Sequence, residues 1–188
     1  MQNLIRFMDM LCGTFENREQ CHQEDADGER IHPGAKHVIG VSNEKMLNLP
    51  ADFAGYFVIE ESYFDMDDRT IAKHYLFLYE ELKDGSIRLA SYDPPPSVPR
   101  ESLTNANQSL RIDFAEVKIS PRFTPLVLEE DAGDFFGENV SQFAPETLFK
   151  FALRVTADAL YVTELLERNR TRIAGFDTPI VYARAETQ

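Results

Sequence analysis

Two adjacent acids, Glu60 and Glu61, interrupt the run Tyr56-Phe57-Val58-Ile59-Glu60-Glu61-Ser62-Tyr63-Phe64, which is otherwise rich in aromatic and β-branched residues. A carboxylate among apolar side chains is suited to holding the N–H groups of a guest, because a charge-assisted hydrogen bond is worth roughly 1.5–3 kcal/mol. It can also exchange protons with a molecule held within hydrogen-bonding reach. Successive strand residues point to opposite faces, so only one of the two acids can enter an interior. The apolar company of Phe57, Ile59 and Tyr63 favours the Glu61 face. The plain alternative is a solvated strand acid beside a core tyrosine. Tyr75 could offer its phenol to a ligand, although a strand tyrosine needs no such explanation. His74, between Lys73 and Tyr75, reads as a packed or exposed side chain rather than a catalyst.

The elements that would position these groups are mostly strands. Leu4, Phe7, Met8 and Leu11 keep helical spacing, with Asn3 as N-cap and Gly13 as a stop, so a helix over about residues 3–12 should lie on, or plug, the strands after it. Residues 24–34 read as a polar loop. From there the period changes to two. Strands are predicted over 56–64 and over 73–82, where Tyr75, Phe77 and Tyr79 share one face and His74, Leu76 and Leu78 the other. Asp84-Gly85 is a hairpin turn, residues 86–92 resume the strand, and Asp93-Pro94-Pro95-Pro96 ends it. Next come a loop to Asn107, strands over 110–119 and 126–129, and an acidic, glycine-containing loop to about Pro145. The stretch from Leu148 to Leu166 fits one helix, or two strands (149–155 and 160–165) around Thr156-Ala157-Asp158; periodicity alone does not choose. Several short strands joined by turns imply a closed barrel or a sandwich.

The chain has 188 residues, enough for one domain with a substantial core. Its formal charge of −13 repels phosphate backbones and anionic lipids, which argues against nucleic-acid and membrane-surface partners. The basic cluster Arg168-Asn169-Arg170-Thr171-Arg172 reads as a solvated turn rather than a docking patch. No run approaches a membrane span, and the first residues lack the pattern of a secretory signal. Cys12 and Cys21 lack redox-motif spacing and read as free thiols in a reducing cytoplasm. Asp25-Ala26-Asp27-Gly28 fails as a calcium loop, since Arg30 and Lys36 occupy the positions that need Gly and Glu. His22, His32 and His37 have no metal-site spacing, and no phosphate loop, dinucleotide fingerprint or Gly-x-Ser-x-Gly elbow is present.

Gly13-Thr14-Phe15 stands where lipocalin-like barrels commonly carry Gly-x-Trp after a leading helix. The longer run Gly13-Thr14-Phe15-Glu16-Asn17-Arg18-Glu19-Gln20 resembles the opening of the T-type phycobiliprotein chromophore lyases, the CpcT/CpeT family. Phe57 to Tyr63 resembles that family's strand ending in Glu-Gln-x-Tyr, with Glu61 in place of Gln. Asp177-Thr178-Pro179-Ile180-Val181-Tyr182-Ala183-Arg184 resembles its closing strand. Two features depart from the pattern. Ala72-Lys73-His74-Tyr75-Leu76 stands where the family often has an Arg-rich strand, and no Cys occurs after Cys21.

The resemblance implies an all-β, antiparallel lipocalin-like β-barrel with a short N-terminal helix, spanning about residues 14–185 within one domain, and so favours strands over the ambiguous segment. It implies a linear tetrapyrrole (bilin) as bound substrate rather than resident cofactor, delivered to a cysteine of a phycobiliprotein acceptor subunit. It favours Glu60 as the catalytic carboxylate, with Glu61, Tyr63, Tyr75, Asn17 and Gln20 as ligand contacts. Asn17 and Gln20 could equally hold the helix–strand junction through side-chain hydrogen bonds. A homodimer stays open. The departures motivate a second expectation, a non-catalytic lipocalin-like module for another small apolar ligand.

Overall fold

The computed structural model describes residues 2–66 and 68–185. Ten antiparallel strands close into a barrel: β1 (Gly13–Glu16), β2 (Ala35–Val41), β3 (Tyr56–Met66), β4 (Arg69–Glu81), β5 (Ile87–Asp93), β6 (Leu126–Asp131), β7 (Asp134–Ala144), β8 (Thr147–Val155), β9 (Ala159–Arg168) and β10 (Ile180–Arg184). Each pairs with the next, and the ring closes where β10 meets β1, with Phe15 opposite Arg184. The second half of β9, beyond the reach of β10, is covered by the short strand Thr171–Gly175. Closure pairs the strands on both sides over most of their length and turns their inward side chains toward one another. The ambiguous segment is two strands, β8 and β9, paired from Thr147↔Arg168 to Val155↔Leu160.

Helix α1 (Gln2–Leu11) plugs one end of the barrel. Leu4, Phe7, Met8 and Leu11 are buried to 5% exposure or less. Phe7 packs on Tyr79 of β4 and edge-on against Phe135 of β7, with centroids 5.2 and 5.1 Å away. A ten-residue helix is marginal alone; burying four large side chains at ~1.5–3 kcal/mol each is what holds it. Asn3 is not the N-cap expected from sequence. It lies inside the helix and donates its amide to the Gly85 carbonyl, while Glu81 of β4 accepts the Leu4 N–H. The first turn thus finds its acceptor across the barrel rather than in its own sequence. At the other end of α1, Arg184 donates to the carbonyls of Cys12 and Met10.

Three further expectations are corrected. Residues 24–26 are not loop but the end of a second helix, α2 (Arg18–Ala26). Its sequence shows no apolar stripe because it buries Cys21 and is otherwise tied down by hydrogen bonds. Residues 134–144 are not an acidic loop but strand β7. Inward Phe135, Gly137 and Ser141 alternate with exposed Phe136, Glu138 and Val140, and the charges mask that period of two. The two-residue turn Ala132-Gly133, with both φ positive, starts it. A Cβ on Gly137 would run into the Val127 carbonyl of β6, so this approach requires glycine. Finally, residues 110–119 form two short pieces rather than one strand: Ile112–Asp113 runs parallel to Met46–Leu47, and Lys118–Ile119 pairs with the end of β5.

Those pieces belong to two long loops that wrap the outside of β3 and β4. Phe57, Ile59, Leu76 and Leu78 point outward and pack under Met46, Leu103, Leu110 and Ile112, giving a second apolar layer outside the barrel. Both faces of these strands are therefore apolar, as their sequence requires. Among the described residues, no helix is long and apolar enough to cross a membrane. Cys12 and Cys21 are free thiols, and burial pushes the Cys12 pKa up to about 11.

Candidate functional site

Alternation along β3 decides between the two acids. Val58 belongs to the barrel core while Phe57 and Ile59 belong to the outer layer, so Glu60 points in and Glu61 points out. Glu61 is buried beneath the loop that carries Asn105. Its Oε1 accepts the Asn105 backbone N–H at 2.8 Å and side-chain amide at 2.9 Å, and its Oε2 accepts the Tyr63 hydroxyl at 2.7 Å. That bond to a carboxylate holds the Tyr63 pKa up at about 12. Asn105 also donates to the Val38 and Ile59 carbonyls, and a Cβ on Gly40 would collide with its side chain. Glu61 and Tyr63 therefore fasten the outer loop and sit outside the lumen. The apolar company that favoured Glu61 from sequence is the outer layer.

Asn17 and Gln20 are also engaged by the frame. Asn17 accepts the Ala35 N–H at 2.7 Å and donates to the Pro33 carbonyl at 2.9 Å. Gln20 accepts the Val181 N–H and donates to the Pro179 carbonyl, tying α2 to β10. Beside them His32 stands 2.5 Å from Glu24 and 3.1 Å from the Thr178 hydroxyl, a brace between α2 and the segment before β10. His74 faces outward and bonds the Leu103 carbonyl.

The lumen has two halves. Near α1 it is filled by buried Phe15, Tyr79, Ile87, Leu89, Leu126, Phe135, Leu153 and Leu160. Away from α1 the inward Glu60, Tyr75, Phe77, Phe149, Phe151 and Glu164 are half-buried, while His37, Ser62, Ser141 and Thr147 are buried. Tyr75 and Phe77 of β4 stack 5.5 Å apart. Four strands around the ring, Phe149 and Phe151 of β8 stack as well, with Phe143 of β7 stacked on Phe149 at 5.1 Å. Aromatic walls therefore line the half away from α1.

The polar groups stand between these walls. Glu60 accepts the Ser62 hydroxyl at 3.1 Å, and His37 of β2 places Nδ1 3.3 Å from its Oε1. His37 is 5% exposed, its ring lies 4.2 Å from that of Tyr182, and neither ring nitrogen makes a hydrogen bond among the described residues. A buried polar group left without a partner costs about 1–3 kcal/mol. Glu164 faces the same space from β9. Burial raises its pKa, Lys73 on the opposite wall lowers it, Glu60 adds to the rise and His37 opposes it. Tyr75 is raised by burial, then by Glu164 and Glu60, so its hydroxyl stays protonated and able to donate. Lys73 caps the mouth over the Phe64 ring at 5.3 Å, and Arg122 lies over Phe143 at 4.4 Å.

Of the residues singled out in the sequence, the structure brings Glu60 and Tyr75 together in the lumen. Sequence reasoning missed His37, Glu164 and Lys73 as their companions. The available signal was strand parity: His37 shares a face with the core residue Ile39, Glu164 with Val162, and Lys73 with Phe77 and Tyr79. Two outer grooves of about 480 and 440 Å³ lie elsewhere, one lined by Phe136, Arg154 and Tyr161, the other by Arg30, His32 and Phe176. Asp134 also lines the first and Asp65 the second, but neither groove sets a carboxylate between aromatic walls as the lumen does. The lumen groups can accept N–H hydrogen bonds at Glu60, donate from Tyr75 and pass a proton between Glu60 and His37. No protein-family model matches the chain, and neither does any curated protein or solved structure.

Proposed function

We propose that this protein is a chromophore lyase-like barrel that binds a linear tetrapyrrole in the half of its lumen away from α1 and delivers it to a cysteine of a phycobiliprotein subunit. The observation that carries the reading is the inward Glu60, set between aromatic walls with Tyr75 beside it. A flat conjugated guest gains stacking from those walls, and its pyrrole N–H groups find a carboxylate. In the transfer, the acceptor's thiol sulfur bonds the exocyclic carbon of the pigment and the thiol proton passes to the neighbouring ring carbon; no oxidant is consumed. Glu60 is the group positioned to hold and return that proton. The nucleophile belongs to the acceptor, so the barrel need not supply one.

The test is titration of the pure protein with phycocyanobilin. A red-shifted absorbance that saturates is expected, and no shift at excess pigment would defeat the proposal. A second reading, a binding module for another small apolar ligand without transfer, draws on β4, whose inward face offers Lys73 where the resembled family often has several arginines. It predicts a small molecule of other chemistry in native mass spectra of freshly purified protein.

A further inference from the structure

His37 is more than nine-tenths buried, faces the lumen, and among the described residues leaves both ring nitrogens without a hydrogen bond although a carboxylate stands 3.3 Å away. A histidine serving the frame would be tied to it, as His32 and His74 are. Glu164 looks into the same space from the far side of the barrel. Going outward along the lumen, the sign of charge reverses: Lys73 lies at the mouth over Phe64, and Arg122 over Phe143, both exposed. The interior is therefore acidic in its depth and basic at its rim.

We propose that this polarity orients the ligand: its N–H and lactam edge goes in, against Glu60, His37 and Glu164, and its carboxylates stay at the rim with Lys73 and Arg122. The inference rests on the tetrapyrrole reading and deepens it. A carboxylate head group is repelled from the depth of this lumen, where Glu60 and Glu164 already stand, so a fatty acid inserted head-first is a poor guest. A tetrapyrrole has both kinds of group, with N–H donors along one edge and propionates on the other. His37 supplies what two acids cannot, a nitrogen that donates to a lactam oxygen or accepts from a ring N–H according to its tautomer. The groups that face it are Glu60 from β3, Glu164 from β9 and Tyr182 from β10, and Lys73 from β4 acts on Glu164.

The experiment titrates phycocyanobilin and its dimethyl ester into the wild-type protein, His37→Leu, Glu164→Gln and Lys73→Met, read by absorbance, with thermal unfolding of each ligand-free protein. His37→Leu should unfold at the same temperature or higher, because an unpartnered polar group is removed, and should bind the free-acid pigment about tenfold more weakly. Glu164→Gln should shift the pH dependence of the bound pigment's spectrum. The ester should bind wild type more weakly than the acid does, and Lys73→Met should narrow that difference. If His37→Leu lowers the unfolding temperature and keeps full affinity, the histidine is structural and the inference fails. If ester and acid bind alike, there is no basic rim. Wild type that binds pigment while every variant matches it overturns this inference alone; wild type that binds none overturns the proposed function with it.

Discussion

Nδ1 of His37 and Oε1 of Glu60 stand 3.3 Å apart on neighbouring strands, both facing into the barrel. The pair joins two things that sequence kept separate: an acid with an obvious setting and a histidine with none. Their strands are held in register from Ala35↔Phe64 to Val41↔Val58, so the meeting is fixed by backbone pairing. A one-residue slip of β2 against β3 would turn His37 out of the barrel and part the two.

Glu60→Gln preserves shape and removes the charge. Pigment affinity should fall by about ten- to a hundredfold, the worth of a charge-assisted hydrogen bond. The unfolding midpoint should change little. Absorbance titration beside denaturant unfolding measures both, and undiminished affinity would remove Glu60 from the site.

Glu61→Ala should behave in the opposite way. It strips the acceptor from Asn105 and Tyr63 under a covered loop, which should cost about 2–3 kcal/mol of stability. For a chain of this length that corresponds to a drop of roughly 4–12 °C in Tm. Affinity measured where the variant is still folded should equal that of wild type; a loss there would return Glu61 to the ligand site.

Glu164 sets a pH dependence. Burial raises its folded pKa above the unfolded value, so the folded protein holds this proton more tightly and ionisation opposes folding. The penalty is absent below the unfolded value of about 4.3, grows as pH rises toward the folded pKa, and is constant above it. Glu164→Gln should therefore match wild type in stability near pH 3.5 and exceed it at about pH 7–8. Denaturant unfolding at the two pH values is the check, and equal stability at both would contradict the buried acid.

Arg184→Met should loosen the plug. The guanidinium caps the last turn of α1 through the Met10 and Cys12 carbonyls and lies 4.6 Å over Phe15. Losing these partly exposed contacts should cost about 1–2 kcal/mol. The loss should appear as faster hydrogen exchange in α1, with strands β3 and β4 unaffected; uniform exchange across the barrel would mean that the helix is not a separate unit.

Residue pattern by itself determined the amphipathic helix, the apolar character of both faces of β3 and β4, the Asp84-Gly85 turn and the acid-bearing aromatic strand. Each of these is written in residues close together in the chain, where a period of 3.6 or 2, or the positive φ of Gly85, is sufficient signal. It could not determine β7 or α2, because neither has a local period strong enough to read; pairing with β6 and β8 makes the one and hydrogen bonds to β10 hold the other. It also could not say which of Glu60 and Glu61 faces inward, since both faces of that strand are apolar. That choice was left to the loop bearing Asn105, which lies outside the barrel and buries Glu61 beneath it. His37, Glu164 and Lys73 reached the site for the same physical reason: closing ten strands into a ring brings together side chains that are far apart in the chain.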